Sequence, residues 1–220
     1  MSVHMKKEID RLKEKLIALC SNVEDRLQQA VKSIKEHNFP LAKQVIDSDV
    51  EIDRMEVEIE EDCLKILALY QPVAIDLRFI ITVLKINSDL ERIGDLAVNM
   101  AQRCEFFDLA PENRDILCDF DIMAEKAQAM LRNSLGSLVN MNNKLAHEVC
   151  LADDEVDALK RKIKKQVGDN IRPRPELQRA LIELLSIAHD LERIADHTTN
   201  IAEDVIYMID GEIVRHKIEG

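Results

Sequence analysis

Carboxylates one helical turn apart, written four times, are the side chains in this 220-residue chain best suited to chemistry. Glu91 and Asp95 lie in the phrase DLERIGDLAVN at 89–99, and Glu192 and Asp196 lie in DLERIADHTTN at 190–200. Asp49 with Asp53 and Asp153 with Asp157 repeat the same i, i+4 spacing. On a helix such residues are neighbours, and two like charges there cost a few tenths of a kcal/mol (about 0.2–0.5). Two such pairs on adjacent helices bring four carboxylates together, each raising the pKa of the others. A multivalent cation removes the conflict. Oxygen-only ligand sets suit Mg²⁺, Mn²⁺, Ca²⁺ or iron better than zinc, and bridging carboxylates hold more than one ion. The competing reading is a solvated acidic face tied by salt bridges to Arg92 and Arg193.

These acids need helices to position them, and the composition supplies helices. Aromatic residues are 3% of the chain, and glycine and proline number five each. Leu, Ile, Ala, Glu, Lys and Arg dominate, as all-α proteins require. Pro40, Pro72, Pro111, Pro173 and Pro175 fall between long stretches of helical periodicity, where a missing N–H suits a helix boundary. The expected helices span 4–36, 40–70, 74–105, 112–140, 144–171 and 175–215. The fifth boundary, near Asn140–Asn143, has no proline to mark it. Helices of about 30 residues are rods of roughly 45 Å, and short connections between them give antiparallel bundles.

The chain is written as two sets of three helices. Phe79, Val83, Ile86, Leu90, Ile93, Ala97 and Met100 alternate steps of four and three, the spacing of a bundle seam. Ala180, Leu184, Ile187, Leu191, Ile194, Thr198 and Ile201 repeat the series 101 positions later. Earlier helices match at an offset of 104, pairing Leu27 with Leu131, Ile34 with Leu138, Leu41 with Leu145, Val45 with Val149, Ile52 with Val156 and Ile59 with Ile163. A duplicated three-helix unit accounts for both offsets, dividing the chain into 1–108 and 109–220. In the seam register Glu91 and Asp95 fall at the outward b and f positions, with a small residue, Gly94 or Ala195, between the acids of each copy.

Several functions are set aside by what the chain contains. A net charge of −12 repels a phosphate backbone, so nucleic acid is not an expected partner. The N-terminal MSVHMKKEIDRLKEKL has no secretory apolar core, and no run approaches the roughly 18 apolar residues of a spanning helix, so a cytoplasmic location is expected. Five scattered cysteines with no Cys-x-x-Cys pair read as reduced thiols, most of them in the core. No phosphate loop, nucleophile elbow or His-Glu-x-x-His stands in the chain. A carboxylate-bridged iron enzyme or storage bundle needs Glu-x-x-His facing the interior, and no Glu here has His three residues on. A metal-free helical adaptor stays open as the alternative.

DLERIGDLAVNMAQ and DLERIADHTTNIAED, with QPVAIDLRFI at 71–80, resemble the signature of the PhoU family, accessory regulators of phosphate transport. The resemblance covers the full chain. It implies an all-α fold of two tandem three-helix bundles, spectrin-like, related by a pseudo-two-fold axis, with a multinuclear metal site on the surface of each. The site residues it implies are Asp49, Asp53, Glu91 and Asp95 in the first unit and Asp153, Asp157, Glu192 and Asp196 in the second. The metals would be divalent or trivalent ions, with iron, Mn or Mg foremost. It further implies negative regulation of phosphate uptake and of the phosphate regulon without catalysis. The partners would be the ATPase subunit of the phosphate ABC transporter and the phosphate sensor histidine kinase. A homodimer is expected, reaching the membrane only through these partners. The first copy departs from the family phrase by having Leu96 where the second has His197, and Asp-Leu-Arg at 76–78 becomes Leu177-Gln178-Arg179.

Alignment at offset 104 also sets Glu56, Glu58, Glu60 and Glu61 against Lys160, Lys162, Lys164 and Lys165. A charge run is ordinarily a solvated face. The alternative is a pair of complementary halves that meet between copies of the chain or with a partner, in which case salt weakens the pairing.

Overall fold

In the computed structural model, residues 3–106 and 118–211 are described, and they contain helices and no strand. The helices are α1 (Val3–Lys35), α2 (Phe39–Asp47), α3 (Asp49–Tyr70), α4 (Ala74–Gln102), α5 (Cys118–Asn140), α6 (Asn143–Asn170) and α7 (Gln178–Asp210). Six are long, and short 3₁₀ turns at Cys104–Phe106 and Pro175–Leu177 complete the set. The boundary at 108/109 and the expected helical residues 112–117 and 212–215 lie outside the described residues.

One expectation needs correction. The second helix is not continuous from 40 to 70 but breaks at Ser48, which ends α2 and begins α3. Its hydroxyl turns back to donate to the Val45 carbonyl at 2.8 Å, the competition with the backbone that makes serine a poor helix-interior residue. The equivalent position in the second unit is Ala152, the best helix former, and α6 runs through it unbroken from Asn143 to Asn170.

The boundary that no proline marks is built like its counterpart. His37 and Met141 both take positive φ, 53° and 49°. Asn38 and Asn142 donate their backbone N–H to Ser33 and Ser137, closing each preceding helix, and their side chains cap the next by accepting from Leu41 and Leu145 at 3.1 Å. The two loops are one design repeated at offset 104.

The first bundle packs α1 against α3 and α4 with α2 beside them; the second packs α5, α6 and α7 together. Val83, Ile86, Leu90, Ile93, Ala97 and Met100 are buried, as is the whole second series from Ala180 to Ile201, while Phe79 at the helix start is half-buried. Helices α4 and α7 join the bundles and run antiparallel, since their contacts pair Lys85 with Asp204, Asp89 with His197 and Arg103 with Glu183. This seam carries charge. Asp204 is buried and receives Lys85 at 3.0 Å, and Arg103 also lies 3.4 Å from the buried Asp190. Cys20, Cys63 and Cys104 are buried free thiols and Cys150 is half-buried. Burial pushes the Cys20, Cys63 and Cys150 thiols up to about 12, which makes them packing residues.

Part of the charge reversal is compensated inside each bundle. Lys15 on α1 bonds Asp62 at 2.6 Å and lies 3.6 Å from Glu58. At offset 104 these positions are Asp119, Gln166 and Lys162, and Asp119 accepts from Lys162 at 2.6 Å and from Gln166. Both partners changed sign together, so the ion pair between the first and second helices survives with opposite polarity. Glu58 against Lys162 is therefore an internal exchange and does not require a second molecule.

Candidate functional site

The eight acids fall in two grooves, one between α3 and α4 and one between α6 and α7. In the first groove the helices approach closely because Gly94 has no side chain: a Cβ there would lie 3.1 Å from Ile52 Cδ1. In the second groove the equivalent positions are Ala195, larger than Gly94, and Val156, smaller than Ile52, and both are buried. Glu91 and Asp95 flank Gly94 along α4. Their side chains are 25% and 38% exposed, so they line a groove rather than stand clear on the outer surface.

Across this groove, Asp49 and Asp53 occupy the first turns of α3. The helix break at Ser48 puts Asp49 at a helix N-terminus, where unpaired N–H groups favour negative charge. Asp49, Asp53 and Asp95 each present a carboxylate oxygen, and the three oxygens lie within 4.8 Å of one another. Oδ1 of Asp49 is buried and has no hydrogen-bond partner. An oxygen-only donor set with a buried unpaired oxygen fits a hard cation. Glu91 is turned towards Arg92, whose Nε is 3.3 Å from it and whose Nη1 is 3.2 Å from Asp95. The expected salt bridge to Arg92 is thus present alongside the converged acids.

Two further residues belong to this groove. Arg26 is buried, donates to the Val45 carbonyl at 3.4 Å beneath the α2–α3 break, and its charge reaches Asp49 and Asp53. Glu56 adds a fifth acid. Partial burial raises its pKa, with Glu60 and Asp53 adding to the shift, and its charge in turn raises Glu91. Burial is the first cause for Asp49 as well, followed by Asp53 and Asp95, with Arg26 opposing.

The second groove is arranged differently. Asp153 is mid-helix, and its carboxyl is pushed up to about 6 by burial first and then by Asp196, Asp157, Asp154 and Glu192. The position of Arg26 is taken by buried Met130, which offers no compensating charge. Glu192 is held by Lys160 Nζ at 2.8 Å and by His189 Nδ1 at 3.3 Å, and Asp157 accepts from Arg161 at 3.4 Å. Lys160 stands where the first groove has Glu56. His197 faces the other way: its Nδ1 is 2.8 Å from Asp89 and Asn200 donates to the same oxygen at 3.3 Å, so both serve the α4–α7 seam.

Two antiparallel-helix bundles of one pattern, each with a carboxylate-lined groove between its last two helices, define a duplicated all-helical protein with two acidic sites. The description "PhoU domain" matches this chain twice, over residues 16–104 and 120–205. The chain belongs to the PhoU family. It is 34% identical to phosphate-specific transport system accessory protein PhoU homolog 1 of Thermotoga maritima, over 99% of this chain and 94% of that one. Its identity to the PhoU homolog of Aquifex aeolicus is 36%, over 96% and 95%. Among solved structures, PhoU from Pseudomonas aeruginosa superposes with a TM-score of 0.89 at 31% identity, covering 94% of this chain and 99% of the other. The phosphate transport system regulatory protein PhoU from Streptococcus pneumoniae gives 0.85 at 26%, covering 96% and 99%.

Proposed function

We propose that this protein is a metal-binding negative regulator of phosphate uptake and phosphate-regulon signalling. It acts by contact with the ATPase subunit of the phosphate ABC transporter and with the phosphate sensor histidine kinase, as a cytoplasmic homodimer and without catalysis of its own. Relatives at 34% and 36% identity over nearly the whole chain are named accessory proteins of phosphate-specific transport, which supports the regulatory reading. Among the described residues no helix is long and apolar enough to cross a membrane, in keeping with a protein that meets the membrane through partners.

The observation that carries the metal assignment is the convergence of carboxylate oxygens from Asp49, Asp53 and Asp95, together with a buried, unpartnered oxygen on Asp49. These three would hold the ion, with Glu91 joining them on release from Arg92. A hard cation supplies positive charge there, turning an acidic groove into a surface that takes a partner's carboxylates or phosphate itself.

The test is complementation in a bacterium that lacks its own accessory protein, read with a phosphate-starvation reporter. The chain is expected to restore repression at high phosphate and to co-purify with the ATPase subunit. Glu91→Gln with Asp95→Asn is expected to lose repression together with bound metal by elemental analysis. Repression by the double variant at full strength would make the protein a metal-free adaptor. No repression and no co-purification by the unaltered chain would overturn the regulatory assignment.

A further inference from the structure

We infer that Lys160 is a tethered counter-cation for the second acid groove, so that the two repeats are unequal in metal uptake and the second is held together without an ion. The inference rests on the metal reading of the first groove, and three observations carry it. Lys160 Nζ is 2.8 Å from Glu192 Oε1, with side chains only 28% and 18% exposed, and its charge also bears on Asp196. The same position in the first repeat is Glu56, an acid whose charge acts on Glu91. Finally, among the described residues the oxygens that converge to ion-binding distance belong to Asp49, Asp53 and Asp95, and an orphaned buried oxygen sits on Asp49. Neither feature is found among Asp153, Asp157, Glu192 and Asp196.

The chemistry of the exchange is direct. The first groove sets Asp49, Asp53, Glu56, Glu91 and Asp95 against Arg26 and Arg92; the second sets Asp153, Asp157, Glu192 and Asp196 against Lys160 and Arg161, with Lys160 in place of the fifth acid and Met130 in place of Arg26. An ammonium within hydrogen-bond distance of a carboxylate supplies charge and donors to the oxygens that an ion would otherwise engage. It also arrives with the chain, whereas an ion must be drawn from solution.

The experiment counts bound Mn²⁺ by electron paramagnetic resonance on the full chain and measures melting temperature in chelator. Asp49→Asn with Asp53→Asn is expected to remove most of the bound Mn²⁺, and Asp153→Asn with Asp157→Asn to leave it unchanged. Lys160→Glu is expected to add a second class of Mn²⁺ sites, and Glu56→Lys to abolish the first while raising the melting temperature in chelator. Lys160→Met is expected to lower the melting temperature in chelator and to regain it with Mn²⁺. Equal loss of Mn²⁺ from substitutions in either repeat, or no gain in the folded Lys160→Glu protein, would overturn the inference. If none of these proteins binds Mn²⁺, the metal reading of the first groove fails by itself. The role of Lys160 is then decided by the chelator melts, where an unchanged Lys160→Met would overturn it and a lowered one would sustain it.

Discussion

The groove between α3 and α4 and the groove between α6 and α7 descend from one design, and their differences lie in the charges around the acids rather than in the acids themselves. Both keep paired carboxylates one turn apart on each wall and a small residue between Glu and Asp. The first answers its negative charge with Arg26 below and Arg92 beside it, and leaves an Asp49 oxygen without a partner. The second answers with Lys160 and His189 on Glu192 and leaves Asp153 the most perturbed. Helices in register preserve where a side chain stands, because position follows from the backbone. What neutralises it can change one residue at a time, provided some other group supplies the charge.

The sharpest test of shared design is the core. Ile93 and Ile194 are equivalent and fully buried, so Ile93→Ala and Ile194→Ala are each expected to cost roughly 2–5 kcal/mol. Chemical denaturation followed by circular dichroism measures both. A difference between the two above about 2 kcal/mol would show that the repeats do not contribute equally to one cooperative unit.

The next effect is smaller and separates the grooves. On the proposed metal reading, free ion at a hundred times its dissociation constant stabilises the protein by about 2.7 kcal/mol. For a chain of this size each kcal/mol moves the melting temperature by roughly 2–4 °C. Glu91→Gln with Asp95→Asn is expected to abolish that rise in a thermal melt.

The exchange between Lys15–Glu58 and Asp119–Lys162 predicts a double-mutant result. Lys15→Asp alone places like charges beside Glu58 and Asp62 and is expected to cost about 1 kcal/mol, given partly exposed partners. Adding Glu58→Lys is expected to recover part of that loss, and Asp62→Gln with it to restore stability to within about 0.5 kcal/mol of the starting protein, since this is the set of residues that the second repeat already uses. An additive result in urea denaturation would mean that the two positions are not coupled.

The smallest effect concerns pH. Asp153 titrates near 6 in the folded protein against an ordinary value near 4, so folding favours its protonated form. Its unfavourable contribution is absent below about pH 4, grows as pH rises towards 6 and is full above that. Asp153→Asn in chelator is therefore expected to raise the melting temperature slightly at pH 7 and to leave it unchanged at pH 4. A rise of equal size at both would assign the effect to packing.

The seam residues were legible because a buried stripe imposes its period on the sequence, and Leu90, Ile93, Leu191 and Ile194 hold it in both copies. The acid positions were legible for the same reason, as a fixed offset from that stripe. The break at Ser48 was not, since helical periodicity runs through 40–70 and only a hydroxyl competing for the Val45 carbonyl interrupts it. Nor was the part played by Arg26, Asp89 or Lys160. The offset of 104 set Glu56 against Lys160, but reach and burial decide which of many surface charges enters a groove.

Helix type, the duplication and the acid positions follow from local propensity and periodicity, and the chain's sequence determines them without reference to packing. Which charges meet depends on distances between helices separated by tens of residues. Only the tertiary structure placed Lys160 on Glu192, His197 on Asp89 and Lys15 on Asp62. The physical reason is that backbone periodicity acts over a few residues, whereas electrostatic pairing acts through space and is indifferent to separation along the chain.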